Sequence, residues 1–272
     1  MSVIEAPPWE RGLRVTQPRV VASEWTKLHS LRSTRWSMLV AVILTIGLSA
    51  LFAFATSDRW NRMGPREQAN RHPLDIALGG VLLSQLAIGV LGVLVISGEY
   101  STGMIRSTIA AVPRRLPVLW AKAAVFATVT FCLMLPAVVA AFFASQAIVD
   151  HIEPLRLSFT GPAVLRNVVG GALYLTAIGV FALALGAIAR NTAGGISSFV
   201  AIIFVIPPLL DILPSNWENA ISPYLPSNAG SDVFGIRTGS GHLSPWAGFG
   251  LFVGYSAFAL ATAAVLLVRR DT

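Results

Sequence analysis

Apolar residues in this chain gather into six long blocks, at about 36–56, 76–97, 119–149, 164–189, 194–213 and 246–268. Each matches or exceeds the roughly 20 residues a helix needs to cross a hydrocarbon layer about 30 Å thick. Blocks such as Met38–Phe54 and Leu173–Ala189 show no polar alternation. That excludes a β-barrel, the other structure that satisfies every backbone hydrogen bond in lipid. The pattern predicts an all-α polytopic membrane protein with six transmembrane helices, to be read for function mainly between its spans. No intervening stretch is long enough for a soluble domain.

Composition agrees: 54% of the 272 residues are hydrophobic and 12% charged, against roughly 25% charged in a soluble domain. The net charge of +7 raises the question of nucleic acid. The basic residues cluster beside the apolar blocks, however, which points to membrane lipids and to no nucleic-acid partner. The single cysteine, Cys132, lies in the third block, so no disulfide framework is available. Ala53-Phe54-Ala55 mimics a signal-peptidase site, but the block is too long and too far from the start, so it is expected to be a retained span.

Lysine and arginine set the orientation. Thirteen of the twenty fall before the first span, between the second and third, after the fourth, or after the sixth, and seven fall on the other side. The thirteen acids are divided five to eight in the opposite sense. The positive-inside rule then places both termini in the cytoplasm.

Two segments on that side stand out. Residues 18–35 read as an amphipathic helix ahead of the first span, with Val21, Trp25, Leu28 and Leu31 on one face and Arg19, Ser23, Lys27 and Ser30 mostly elsewhere. Such a helix can lie in the headgroup layer, with Trp25 and Trp36 at the interface and Lys27, Arg32 and Arg35 near anionic lipid. A basic stop before a membrane helix is the competing reading. Residues 1–17 are expected to be a flexible cytoplasmic tail, leaving 18–272 as a single membrane domain. The second segment starts at Ser97-Gly98, expected to loosen the end of the second span, and runs through Glu99, Gly103 and Arg106 to Pro113-Arg114-Arg115. Ile105, Ile109 and Val112 form a short apolar stripe, and Pro113 stops the helix. A short helix of this kind can dock into a partner's groove, and an ordinary polar turn fits the same residues.

Glu99-x-x-x-Gly103, Pro113-Arg114-Arg115 and Lys122 at the head of the third span together resemble permease subunits of ABC-2-type transporters. Glu24-Trp25-Thr26-Lys27-Leu28 and Tyr224-Leu225-Pro226-Ser227-Asn228-Ala229 resemble bacterial members of that family. Met104 departs from it, since relatives often carry Thr there. The resemblance implies that Glu99, Gly103, Arg106, Pro113, Arg114 and Arg115 belong to a coupling helix that meets a separate ATPase. It also implies that the helix before the first span lies along the membrane, and that Tyr224 and Pro226 sit in an outer loop gating the exit. Two ATPase subunits, which bind ATP and Mg, and a second copy or a related permease are the implied partners. The implied location is the bacterial cytoplasmic membrane.

The chemistry missing from the sequence fits this picture. Asp, Glu, Lys, Arg and His are absent from the interiors of the blocks, whereas ion-coupled carriers usually keep such residues on the pathway. No Gly-x-x-x-x-Gly-Lys loop occurs, so an ATPase would be another chain. The four histidines form no His-Glu-x-x-His zinc pattern, and no base sits at membrane depth to activate a serine. His151 with Glu153 is a weak metal candidate beside the plainer reading of a solvated turn. The expectation is a non-enzymatic permease subunit of an ATP-driven exporter, with no cofactor in this chain. A passive channel or an assembly scaffold without an ATPase partner is the alternative.

The spans carry packing signals too. Gly250 with Gly254, and Ala182 with Gly186, are small pairs that permit close helix approach, expected within the core. Pro136 should kink the third span, and Pro207-Pro208 should bend the fifth. The loop at 212–245, rich in Pro and aromatics, reads either as short re-entrant helices or as a segment hugging the interface.

Overall fold

With no competing partners in lipid, the backbone groups of the apolar blocks bond along the chain, and each block becomes a helix. The computed structural model of the protein describes residues 16–30, 32–101, 115–210, 212, 214–235 and 243–269, and among these no strand occurs. Helix α1 covers Gln17–Ser30, α2 Arg32–Arg59 (prolonged by a 3-10 turn, Trp60–Arg62), α3 Pro65–Ala69, α4 Pro73–Ser101 and α5 Arg115–Val149. Helix α6 covers Pro162–Ala189, α7 Thr192–Val200, α8 Ile206–Leu210, α9 Ser215–Ile221, α10 Pro226–Ser231 and α11 Pro245–Arg269. With α7 and α8 counted as one, six of these are long and apolar enough to cross a membrane. The chain builds an all-α polytopic membrane protein.

Helices α4 and α6 form the centre and pack most heavily against each other; α2 flanks α4, α5 packs mainly on α2 and α6, and α11 backs α6. Apolar surface gains nothing by leaving lipid, so contact between spans depends on close fit and small residues. A Cβ on Gly80 would lie 2.3 Å from the Thr45 carbonyl, and one on Gly92 would lie 2.3 Å from that of Gly179. Hydroxyls reinforce the first seam: Thr45 Oγ1 donates to Ser84 Oγ at 2.8 Å, and the Gly80 amide donates to Ser49 Oγ at 3.1 Å. Burial separates the roles of the spans. The core stretch of α6 is 61% buried, whereas that of α7–α8 is only 17% buried and lies at the margin.

Several sequence expectations need correction. Ala182 and Gly186 are buried, but nothing stands within 4 Å of a Cβ at Gly250 or Gly254, so that pair opens outward and is not core. Within the segment expected as one interfacial helix over 18–35, α1 covers Gln17–Ser30, and Arg32 and Arg35 belong to α2. Helix α4 does not loosen at Ser97-Gly98: it continues to Ser101, held there by Ser97 Oγ against Thr192 Oγ1 at 2.9 Å and by ion pairs on Glu99. Pro136 lies inside α5, which is helical on both sides of it. The fifth span starts at Thr192 and meets Pro207-Pro208 with a π turn over Ala201–Val205, where the Ile206 amide bonds the Ala201 carbonyl. Prolines at 207 and 208 deprive the carbonyls four residues earlier of a donor, and the widened turn accommodates that loss.

Candidate functional site: a buried ionic cluster at the α1 end

At one end of the bundle α1 lies against α5 and α2, beside the ends of α4 and α5. Its packed face is Val20, Glu24 and Leu28, spaced by one helical turn each, and not the Val21-Trp25-Leu28-Leu31 stripe. Val21 and Trp25 are exposed on the other side, and Trp25 stacks on His29 at 4.4 Å between ring centroids. α1 thus has two apolar edges, one seated on the bundle and one turned outward. Leu31 is outside the described residues.

The seated face brings Glu24 to Lys122 on α5. Lys122 Nζ donates to Glu24 Oε2 and, at 2.9 Å, to Glu99 Oε1 on α4. Lys27 Nζ donates to Glu24 Oε1 at 2.7 Å and to Glu99 Oε1 at 3.2 Å. Two acids and two bases from three helices therefore form one closed, formally neutral set. Glu24, Glu99 and Lys122 are buried, whereas the Lys27 side chain keeps 26% of its surface. Burial alone would lower the Lys27 pKa; its hydrogen bonds to and charge interactions with Glu24 and Glu99 outweigh that and hold it above the usual lysine value.

Glu99, expected in the coupling segment, is a buried member of this cluster. It sits inside the last turn of α4, 7% exposed, and holds helices together. Arg115 is the first residue of α5. Gly103, Arg106, Pro113 and Arg114 lie outside the described residues. Arg32 and Arg35 are exposed near the start of α2. Next to the cluster, Arg190 ends α6 in a left-handed conformation (φ 55°) and donates to the Leu266 carbonyl at 3.2 Å, with its guanidinium 5.8 Å from the Tyr100 ring centre. It links α6, α11 and α4 at the same end.

The opposite end has different chemistry. Helix α10 folds back between spans, with residues 229–234 buried, whereas most of α9 is exposed. A Cβ on Gly170 would lie 2.5 Å from the Val233 carbonyl, and one on Gly230 would lie 2.6 Å from the Tyr174 ring. Gly170 stands eight residues into α6, about 12 Å along its axis, so the segment inserts well past the helix end. Tyr224 is exposed and Pro226 partly so. The Tyr224 carbonyl accepts from Tyr255 Oη at 2.9 Å, and Asn228 Nδ2 donates to the Ser222 carbonyl and hydroxyl at 3.0 and 2.9 Å. Behind the insertion, Tyr174 Oη donates to Gln85 Oε1 on α4.

His151 meets Ser57 Oγ at 3.1 Å, and no group of three or more His, Cys, Asp or Glu side chains gathers among the described residues. Gln146 closes the nearby turn, accepting from the Leu157 amide at 2.9 Å.

Sequence reasoning quoted Glu24, Lys27, Glu99 and Lys122 in separate motifs and did not bring them together. A signal was present: the chain has eighteen arginines and only two lysines, and both lysines are in this cluster. A compact ammonium suits a site where one nitrogen serves two carboxylates, which a planar guanidinium fork does not. No family model matches the chain, and no curated protein matches it.

Proposed function

We propose that the chain is the membrane subunit of an ATP-driven exporter of the ABC-2 type, coupled to separate ATPase subunits. The observation that carries this reading is the cluster. It ties α1 to the very ends of α4 and α5 whose connection, residues 102–114, bears Arg106 and Arg114. A push on that connection would reach α1 through short charge-assisted contacts with little slack. Nothing in the sequence supplies an energy source of its own.

In this reading two such subunits, identical or related, enclose the pathway, and two ATPases bind ATP and Mg below them. Closure of the ATPases presses on the segment around Gly103, Arg106, Pro113, Arg114 and Arg115. Glu99 takes the load inside the bundle and does not dock at the surface. α1 moves with the bases of α4 and α5, and the inserted α10 segment, with Tyr224 and Pro226 at its edge, shields the far end. The basic bias at the α1 end supports placing both termini in the cytoplasm, and a bacterial cytoplasmic membrane fits the resemblance.

The test is purification of the tagged full chain from its native membrane in mild detergent, followed by assay for a stoichiometric companion with ATPase activity. Loss of that companion in an Arg114→Glu/Arg115→Glu variant that remains folded supports the reading. Purification of the wild-type chain without an ATPase refutes it and favours the channel or scaffold.

A further inference from the structure

The four charges do not use all of their acceptors. Glu24 engages both carboxylate oxygens, one on each lysine, whereas Glu99 Oε1 takes both ammonium groups. Glu99 Oε2 is buried and has no hydrogen-bond partner among the described residues. A buried carboxylate oxygen without a donor is costly.

Glu99 also lines a partly open cavity of about 340 Å³ between α1, the start of α2, the end of α4 and the base of α5. Leu91, Leu94 and Val95 give it an apolar wall, and Ser33 and Ser37 bring hydroxyl-bearing side chains to its lining. Its volume is that of a small-molecule site, in which a few polar groups orient a largely apolar guest. Water could donate to the oxygen but would leave the leucine wall unpaired. Because the four charges cancel, a guest gains here by donating a hydrogen bond more than by its net charge.

We propose that this cavity binds an amphiphile whose head is an ammonium bearing N–H groups. The head donates to Glu99 Oε2, and the hydrocarbon lies along Leu91, Leu94 and Val95. A quaternary ammonium has the same charge but no N–H, so it cannot satisfy that oxygen. The head group can come from a membrane lipid, as in phosphatidylethanolamine, or from a free cationic amphiphile. The site does not depend on an ATPase partner, so it stands or falls separately from the transport reading.

Two matched pairs of probes test it on the purified full chain. Native mass spectrometry compares phosphatidylethanolamine with phosphatidylcholine of identical chains. Calorimetric titration compares dodecylammonium with dodecyltrimethylammonium. The N–H-bearing member should bind roughly tenfold tighter or more, the scale of one hydrogen bond to a charged group. A preference among lipids identifies the lipid source, and one confined to dodecylammonium identifies the free amphiphile; either supports the site. Glu99→Gln should erase the preference. Because that variant also disturbs the ion pairs, Gly98→Leu is the decisive one. Gly98 lines the cavity and a Cβ there meets nothing within 4 Å, so a leucine fills the space and leaves the four charges in place. Absence of a preference in both pairs, or a preference that survives Gly98→Leu, overturns the proposal.

Discussion

Replacing Lys122 by Met tests whether the cluster holds α1 to the bundle. The side chains of Lys122 and Glu24 are 5% and 3% exposed, so the substitution strands Glu24 and Glu99 with only Lys27 between them. Removing one partner of a buried pair costs about 3–5 kcal/mol, because the remaining charge is left desolvated. Lys27→Met removes a cation that keeps 26% of its side-chain surface, and for such partly hydrated pairs the loss should be about 1 kcal/mol or less. The two lysines thus make the same number of ion pairs but should differ severalfold in effect. Unfolding in mixed micelles, followed by circular dichroism, measures the free energies. Protease sensitivity within Gln17–Ser30 reports whether α1 has come away.

The double variant Lys122→Met/Glu99→Gln sharpens this test. It removes one charge of each sign and leaves the Glu24–Lys27 contact of 2.7 Å intact. It should be less destabilised than the sum of the single variants by about 1–3 kcal/mol, as expected for directly contacting groups. If Lys122→Met stays within about 0.5 kcal/mol of wild type, the typical range for surface substitutions, the cluster is not a buried clamp and the coupling argument fails with it.

Three further outcomes are expected. Gly92→Ala should destabilise by about 1–3 kcal/mol, because its Cβ would fall 2.3 Å from the Gly179 carbonyl; Gly47→Ala, with nothing within 4 Å, should be neutral or stabilising by up to about 1 kcal/mol. In a Cys132→Ala background, needed because Cys132 is exposed, single cysteines at 229–234 should resist an impermeant thiol reagent while those at 216, 217 and 219 react; equal labelling would place the segment outside the bundle. The Lys27 pKa is raised, so its share of stability is complete below the unfolded lysine value and is lost as pH rises through the folded one. The stability gap between wild type and Lys27→Met should therefore be flat from about pH 6 to 9 and shrink in alkali above about pH 10.4; a gap that changes between pH 6 and 9 contradicts the assignment.

The six spans were legible because lipid allows the backbone few solutions, and length and apolarity suffice to find them. Span ends were harder to read. Ser97 and Gly98 look like a helix stop by propensity, but Ser97 bonds Thr192, and Glu99 bonds Lys27 and Lys122, all distant in sequence. Tertiary contacts carried the helix one turn further. Pro207-Pro208 did mark an irregularity, yet the chain met it upstream with a π turn and kept the helix. The α1 stripe was misread for a similar reason. A helix with one apolar edge turned outward and another on the bundle has two periodic apolar rows, and a buried Glu24 among them looks polar until Lys122 faces it. The Gly250 and Gly254 pair shows the reverse error, since spacing reveals that a helix can be approached closely and not by what.

The two ends of the bundle are built to behave differently under load. At the α1 end three helices meet through charges, and charge-assisted contacts keep their direction when helices shift together. At the far end α10 is seated by glycine contacts and backbone carbonyls, Gly170 on Val233, Gly230 on Tyr174 and Gly248 on Ala229. Such close seating has little tolerance: the inserted segment stays in register with α6 and α11 or it leaves. The two long helices α4 and α6 join these ends, and their seam is fixed by Gly92 against Gly179 near mid-helix. A tilt imposed on α4 at Glu99 would pivot about that seam and act on the Gln85–Tyr174 contact, which backs the inserted segment. Tyr174→Phe keeps the ring packed on Phe234 and Phe252 and removes only the hydroxyl that reaches α4. If movement at the α1 end is passed on through this contact, cysteine labelling near 229–234 should change with the state of the cluster in wild type and become independent of it in Tyr174→Phe. Unchanged coupling in that variant would show that the two ends communicate by another route.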